Sequence, residues 1–167
     1  MHPAQLPLEE LLAQCDVTRT RRSGPGGQHR NKTETAIVLV HPPTQIVGEA
    51  SERRSQAENH QVAVQRLRVK LALEFRTPAD ELLPGPSALW LSRLKGQRIT
   101  CSAEHDDYPA LLAEVCDLLA SAEFDVPPVA EQLGCTASQL VKLLAAEPAA
   151  LVWLNRQRAE RNLRPLK

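Results

Sequence analysis

The sequence predicts an α+β fold: a small mixed sheet with a projecting Gly-Gly-Gln loop and one long packed helix, followed by a C-terminal all-α region. Three observations predict it. Two β-branched, apolar runs, "TAIVLV" at 35–40 and "QIVGEA" at 45–50, flank a His-Pro-Pro-Thr turn and read as a hairpin. Ser55 and Glu58 have capping-box spacing, and the helix they open runs to about Arg76, with Val64, Leu67, Leu71 and Phe75 on one face. From His105 onward the pattern is helical.

The elements follow in order. Residues 6–14, "LPLEELLAQ", read as a short amphipathic helix, and "CDVTRTRR" after them alternates like a strand. Next comes "RRSGPGGQHRNK", a glycine knuckle with basic residues on both sides, after which "QHRNKTE" resumes as a short helical turn. The long helix must lie on the sheet formed by the hairpin, because its apolar face has no other partner of that length. Residues 77–87 hold three prolines and a glycine and read as a linker, and "RITCSAE" is expected to be a short strand. Asp106 and Asp107 with Pro109 mark a helix entry, and Leu111, Leu112, Val115, Leu118 and Leu119 form its buried face. "PPVAEQLGCTASQLVKLLAAEP" reads as helix, glycine turn, helix, with Thr136 and Gln139 as a second capping box. A last helix spans about 149–162.

The formal net charge of zero averages three unlike regions. Residues 1–76 hold 11 Lys and Arg against 8 Asp and Glu, residues 77–125 hold 3 against 9, and residues 126–167 hold 6 against 3. Exposed charges act only over about 10 Å in salt, so these local patches, and not their sum, govern contacts. Positions 19–32 carry five cations and no acid. Cysteines 15, 101, 116 and 135 lack metal-ligand spacing and read as small buried or half-buried residues; no metal and no cofactor is expected. No apolar run approaches the roughly 18 residues that span a bilayer. The N-terminus has no basic stretch leading into an apolar one, so a cytoplasmic protein without a membrane partner is expected.

Glycine adopts φ > 0 at almost no steric cost and lets the main chain approach a ligand with no Cβ in the way. "GPGG" alone is also the composition of a surface turn. The longer run separates the two readings. "SGPGGQHRNKTETAIVLVHPPTQIV" followed by "ERRSQAENHQVAVQRLRVKLA" resembles the catalytic domain of class I peptide-chain release factors, over about residues 15–75. In that family a Gly-Gly-Gln loop is followed by Asn-Lys, an apolar strand, a His/Pro turn and strand, and Arg-Ser-Gln before a helix. Here these are Gly26-Gly27-Gln28, Asn31-Lys32, residues 36–40, residues 41–44 and Arg54-Ser55-Gln56. One departure stands out: the family's turn is usually Pro-Ser/Thr-Gly, whereas Thr44 is followed here by Gln45.

The resemblance implies ribosome-dependent hydrolysis of the ester joining a nascent peptide to tRNA. Gly26 and Gly27 would keep the loop slim and bent, and the Gln28 backbone N–H would stabilise the tetrahedral intermediate or the leaving 3′-hydroxyl. The Gln28 side chain would shape the space for the attacking water. It further implies that Arg21, Arg22, Arg30 and Lys32 hold rRNA or tRNA phosphates, that Asn31 braces the loop base, and that Arg53 and Arg54 touch RNA. Ser55 is adequately explained as an N-cap, and His29 only flanks the site. A methyltransferase that modifies the Gln28 amide is a second implied partner. The expected division is a release-factor-like catalytic domain over 1–76, a linker over 77–104, and a helical region with a basic tail over 105–167, in a monomer.

Only 25 residues precede the Gly-Gly-Gln, and no Ser-Pro-Phe occurs. The Pro-x-Thr at residues 42–44 sits in the hairpin turn, where it cannot read a codon. The sequence thus resembles the short, codon-independent members that rescue stalled ribosomes. Those end in a basic tail, for which Arg156, Arg158, Arg161, Arg164 and Lys167 are the candidates, at low density. "VAEQLGCTASQLVKLL" has helix-turn-helix spacing, yet Thr136, Ser138, Gln139 and Lys142 are a thin reading face for DNA. It reads first as a ribosome- or RNA-docking module and next as a structural bundle, and a silent ribosome-binding adaptor is the competing function.

Overall fold

The computed structural model describes residues 1–20 and 35–167. A three-stranded sheet carries β1 (Asp16–Thr20), β2 (Ala36–His41) and β3 (Ile46–Ala50) in the order β1-β2-β3, antiparallel at both joints. Helix α1 (Leu8–Ala13) precedes it, and α2 (Gln56–Glu74) lies across β2 and β3. The Ser55 hydroxyl accepts the Glu58 amide and starts α2 where the capping box places it. Val64, Leu67 and Leu71 are buried, as the periodicity requires, and Phe75 is half-buried just beyond the helix.

Gly48 is where helix and sheet come closest. A Cβ on it would stand 2.6 Å from the Leu67 Cβ and 2.7 Å from the Leu67 amide nitrogen, and nearer still to the Ala63 carbonyl oxygen. The β2–β3 turn accounts for the missing glycine. Gln45 has φ 60°, the left-handed region in which glycine is at ease, and its side chain donates to the Pro42 carbonyl at 2.6 Å. His41 is buried behind the turn, with its ring nitrogens 2.8 Å from the Thr44 hydroxyl and 3.3 Å from Gln14 Oε1.

The other side of α2 is covered by α4 (Tyr108–Ser121), so α2 is a middle layer between sheet and helices. Every residue from Tyr108 to Leu119 is buried, not only the single face expected from sequence. The reason is enclosure: α2, α5 (Val126–Gln132) and α6 (Ala137–Ala145) all pack on α4. Beyond α6 lies α7 (Pro148–Glu160). One contiguous buried cluster runs from Ala4 through Leu67 and Leu119 to Leu154. The stretch read as linker holds a 3-10 turn, α3 (Ala88–Arg93) and a hairpin of β4 (Leu94–Lys95) and β5 (Arg98–Ile99). Within it Trp90 is fully buried and its indole donates to the Leu133 carbonyl at 2.8 Å. No helix among the described residues is long and apolar enough to cross a membrane.

Two carboxylates share the burial of α4. Asp117 accepts the Thr77 amide and stands 3.7 Å from Arg76, whose guanidinium lies over the Trp153 ring at 4.6 Å. Glu114 accepts the Ser87 amide at 2.7 Å and the Ser87 hydroxyl at 2.6 Å, which holds the start of α3. Desolvation raises the Glu114 carboxyl above its ordinary range despite these bonds. A carboxyl raised on folding favours the folded state most when protonated, and that contribution is lost as pH rises through the folded value. Glu114→Gln is therefore expected to stabilise the protein at pH 7. Its advantage over the parent should shrink as pH falls toward 4, measured by thermal melts across that range.

Burial likewise raises the thiols: Cys116, fully enclosed in α4, is pushed up to about 12, and Cys15, Cys101 and Cys135 lie above their ordinary value. All four cysteines are free.

Candidate functional site

Among the described residues, β1 and β2 pair up to Thr20 and Ala36. Gly26, Gly27 and Gln28 fall between these two positions in the sequence, as do Arg21, Arg22, Arg30, Asn31 and Lys32, and all of them lie outside the described residues. What the structure defines is the frame around them.

At that end of the sheet, residues 51–55 turn from β3 into α2 and carry Arg53 and Arg54, both exposed. Asn59, in the first turns of α2, is fully buried. Its Nδ2 donates to the Thr35 carbonyl at 2.6 Å and the Arg53 carbonyl at 3.0 Å, while its Oδ1 accepts the Arg53 amide at 2.9 Å. Within this turn Glu52 accepts from both terminal guanidinium nitrogens of Arg66, the closer at 2.6 Å. The Ser51 amide, its own amide and then Arg66 hold its carboxyl below the usual range. Arg66 and Lys70 also donate to the Glu49 and Val47 carbonyls, spending these cations on the outer edge of β3.

Sequence reading missed Asn59. A signal was present: it stands four residues before Ala63 and eight before Leu67, in line with the stripe that packs on the sheet. A polar amide on that stripe must find partners inside the protein.

The C-terminal cations lie elsewhere. Arg53 and Arg54 precede the N-terminus of α2, whereas α7 meets its C-terminus through the Arg76–Trp153 stack. A 19-residue helix is about 28 Å long, so the two basic sets occupy opposite ends of it. Arg158 requires correction as an RNA contact. It is buried and donates to the Phe124 carbonyl at 2.6 Å and the Arg164 carbonyl at 2.9 Å. A guanidinium so placed cannot reach a phosphate without breaking the fold. Arg161 pairs with Glu123 at 2.8 Å and covers the Phe124 ring, and Arg156 pairs with Glu160 at 3.5 Å. Arg164 and Lys167 are exposed.

The segment after α7 folds back on the helix. The Asn155 side chain accepts the Leu166 amide at 2.7 Å and donates to its carbonyl at 2.9 Å. Arg158→Met would leave the Phe124 and Arg164 carbonyls unpaired and is expected to cost about 2 kcal/mol in urea unfolding.

The helix-turn-helix candidate is α5, Gly134 at φ 68°, and α6 capped by the Thr136 hydroxyl on the Gln139 amide. Thr136, Ser138 and Lys142 are exposed there, together with the acidic Glu131. One cation beside an acid is a poor match to a nucleic-acid backbone.

Comparison with known proteins places the frame. Residues 9–81 match the RF-1 domain, a span that covers β1, β2, β3 and α2. Over 69 residues, 41% of its length, the chain is 47% identical to the mitochondrial peptide chain release factor 1-like protein of Rattus norvegicus. It is 55% identical over 62 residues to peptide chain release factor 2 of Acidovorax sp. (strain JS42), and 49% identical over 51 residues to peptide chain release factor 1 of Ureaplasma parvum. The shared stretch makes up 18%, 17% and 14% of those relatives respectively, so the chain spans less than a fifth of each. The strand-and-helix frame lies within the matched span. Over residues 9–81 the chain is thus similar to the RF-1 domain of peptide chain release factors.

Proposed function

We propose that the protein hydrolyses the ester of peptidyl-tRNA on the ribosome and releases the nascent peptide. The observation that carries this reading is the Gly26-Gly27-Gln28 run inside the stretch matched to the RF-1 domain, between two strands paired up to Thr20 and Ala36. Gly26 and Gly27 admit the chain to a narrow cavity. The Gln28 amide N–H is the fixed donor to the developing oxyanion or departing 3′-hydroxyl, and its side chain sets the space for water. Arg21, Arg22, Arg30 and Lys32 neutralise RNA phosphates, Asn31 braces the segment, and Arg53 and Arg54 contact RNA beside it. A glutamine methyltransferase acting on Gln28 is a second partner. The protein works as a cytoplasmic monomer.

The reading extends to codon-independent rescue of stalled ribosomes. It is supported by the placement of residues 42–44, the Pro-x-Thr run, in the β2–β3 turn, where they belong to the hairpin and not to a codon-reading loop. Domains over 1–76 and 105–167, joined by 77–104, then act as a catalytic unit and a docking unit. The test is peptide release from ribosomes carrying peptidyl-tRNA, with the A-site part of the message empty, filled by a sense codon or filled by a stop codon. Release on the empty message alone is expected. Release only at the stop codon overturns codon independence, and binding without release in any state favours the adaptor reading.

A further inference from the structure

We infer that Asn59 is a positioning residue for peptide release, fixing the stem at Thr35 and the Arg53–Arg54 turn in one geometry; this rests on the release reading above. Three chain segments meet at its amide. The first is α2 itself, whose fourth helical residue is Asn59 and whose backbone there is already locked by the Asn59 amide on the Ser55 carbonyl at 3.1 Å. The second is Arg53, whose N–H and C=O both pair with the Asn59 side chain, at 2.9 and 3.0 Å. The third is Thr35, 24 positions earlier in the chain, whose carbonyl accepts the second Nδ2 bond at 2.6 Å.

Holding the turn requires only the pair of bonds to Arg53. The bond to Thr35 adds nothing to α2 or to the turn; it ties them to the residue immediately preceding β2. A buried amide is expensive to desolvate and becomes worthwhile when every group finds a partner, and here the oxygen and the nitrogen both do. The side chain is fully buried, and it hangs from a helix that comes closest to β3 at Gly48. The tie is thus anchored to the helix that packs directly on β3. Cations on the turn that grip RNA then dictate where the Thr35 stem stands. Reactions that depend on placement lose rate steeply when the placement loosens.

The test uses two variants of the full chain. Asn59→Ala removes all three bonds. Asn59→Asp keeps an acceptor for the Arg53 amide but presents a carboxylate oxygen to the Thr35 and Arg53 carbonyls, and it serves if the alanine variant folds poorly. Release is followed in single turnovers on saturating ribosome complexes well below the melting temperature, together with amide hydrogen exchange of the free protein. The saturating rate constant is expected to fall about 10- to 100-fold in both variants, with the half-saturating concentration changed far less. Exchange at Ala36 and Ile37 should accelerate about 10-fold or more while Tyr108–Ser121 exchanges as in the parent.

A merely structural Asn59 would lower the melting temperature and the active fraction but leave the saturating rate constant at the parent value, and that outcome overturns the inference. Unchanged exchange at Ala36 and Ile37 overturns it as well. If the parent itself releases no peptide, the release reading falls and the positioning role with it, whereas an active parent with an equally active Asn59→Asp removes the inference alone.

Discussion

Gly48→Ala is expected to destabilise the protein by about 3 kcal/mol, equivalent to roughly 10 °C in melting temperature for a chain of this size. The added methyl would meet the Leu67 Cβ and amide nitrogen at 2.6 and 2.7 Å and the Ala63 carbonyl closer still. Two of these three are backbone atoms of α2, so no rotamer change relieves the clash; the helix must lift off β3. Lifting it would loosen the contacts of Ala63, Leu67 and Leu71 with the sheet together. The control is Gly85→Ala, where a Cβ meets nothing within 4 Å and the change should stay within about 0.5 kcal/mol. Urea unfolding of the two variants decides it, and equal midpoints would show that α2 and β3 are not held at this distance.

Gln28→Pro is expected to lower the rate of peptide release by about 100- to 1,000-fold, the range associated with removing one preorganised oxyanion donor. Proline has no backbone N–H and fixes φ near −65°, so both the donor and the local freedom are lost in one substitution. Gln28→Ala keeps the N–H and removes only the side chain that shapes the space for water. Its loss should be the smaller by about 10-fold or more, as expected of a positioning effect alone. Melting temperatures of both variants, measured alongside the rates, separate loss of chemistry from loss of folding. Equal rates for the two variants would assign the chemistry to the side chain instead of the amide.

Much of the frame could be read directly from residue types. The hairpin of β2 and β3 follows from β-branched runs around a proline turn, and the start of α2 from Ser55 and Glu58, because these are local signals that tertiary packing did not override. The departure at Gln45 was visible as a missing glycine; that the position is left-handed and steadied by a bond to Pro42 was not, because it depends on the path of the turn.

Other features depend on what packs against what. The α4 pattern suggested one apolar face, but enclosure by α2, α5 and α6 buries Glu114 and Asp117 too, with Ser87 and Thr77 as partners from the stretch read as linker. Charge counting assigned Arg158 to RNA because a basic residue near others looks like a patch. Its burial under the Phe124 and Arg164 carbonyls is a long-range fact. The candidate site divides in the same way: the Gly-Gly-Gln run is a motif in the residue types and lies outside the described residues, whereas the Asn59 tie could not be read from sequence, since its partners are backbone groups that no motif encodes.

The central claim is that this chain, through Gln28, breaks the peptidyl-tRNA ester on the ribosome. The most direct measurement is release of labelled peptide from purified ribosomes stalled on a truncated message, by the parent and by Gln28→Pro at matched ribosome occupancy. Release by the parent, with the proline variant bound but at the background rate, is the expected result. Parent and variant bound equally, with neither above the background hydrolysis of ribosomes alone, would contradict it and leave a ribosome-binding protein in place of a release factor.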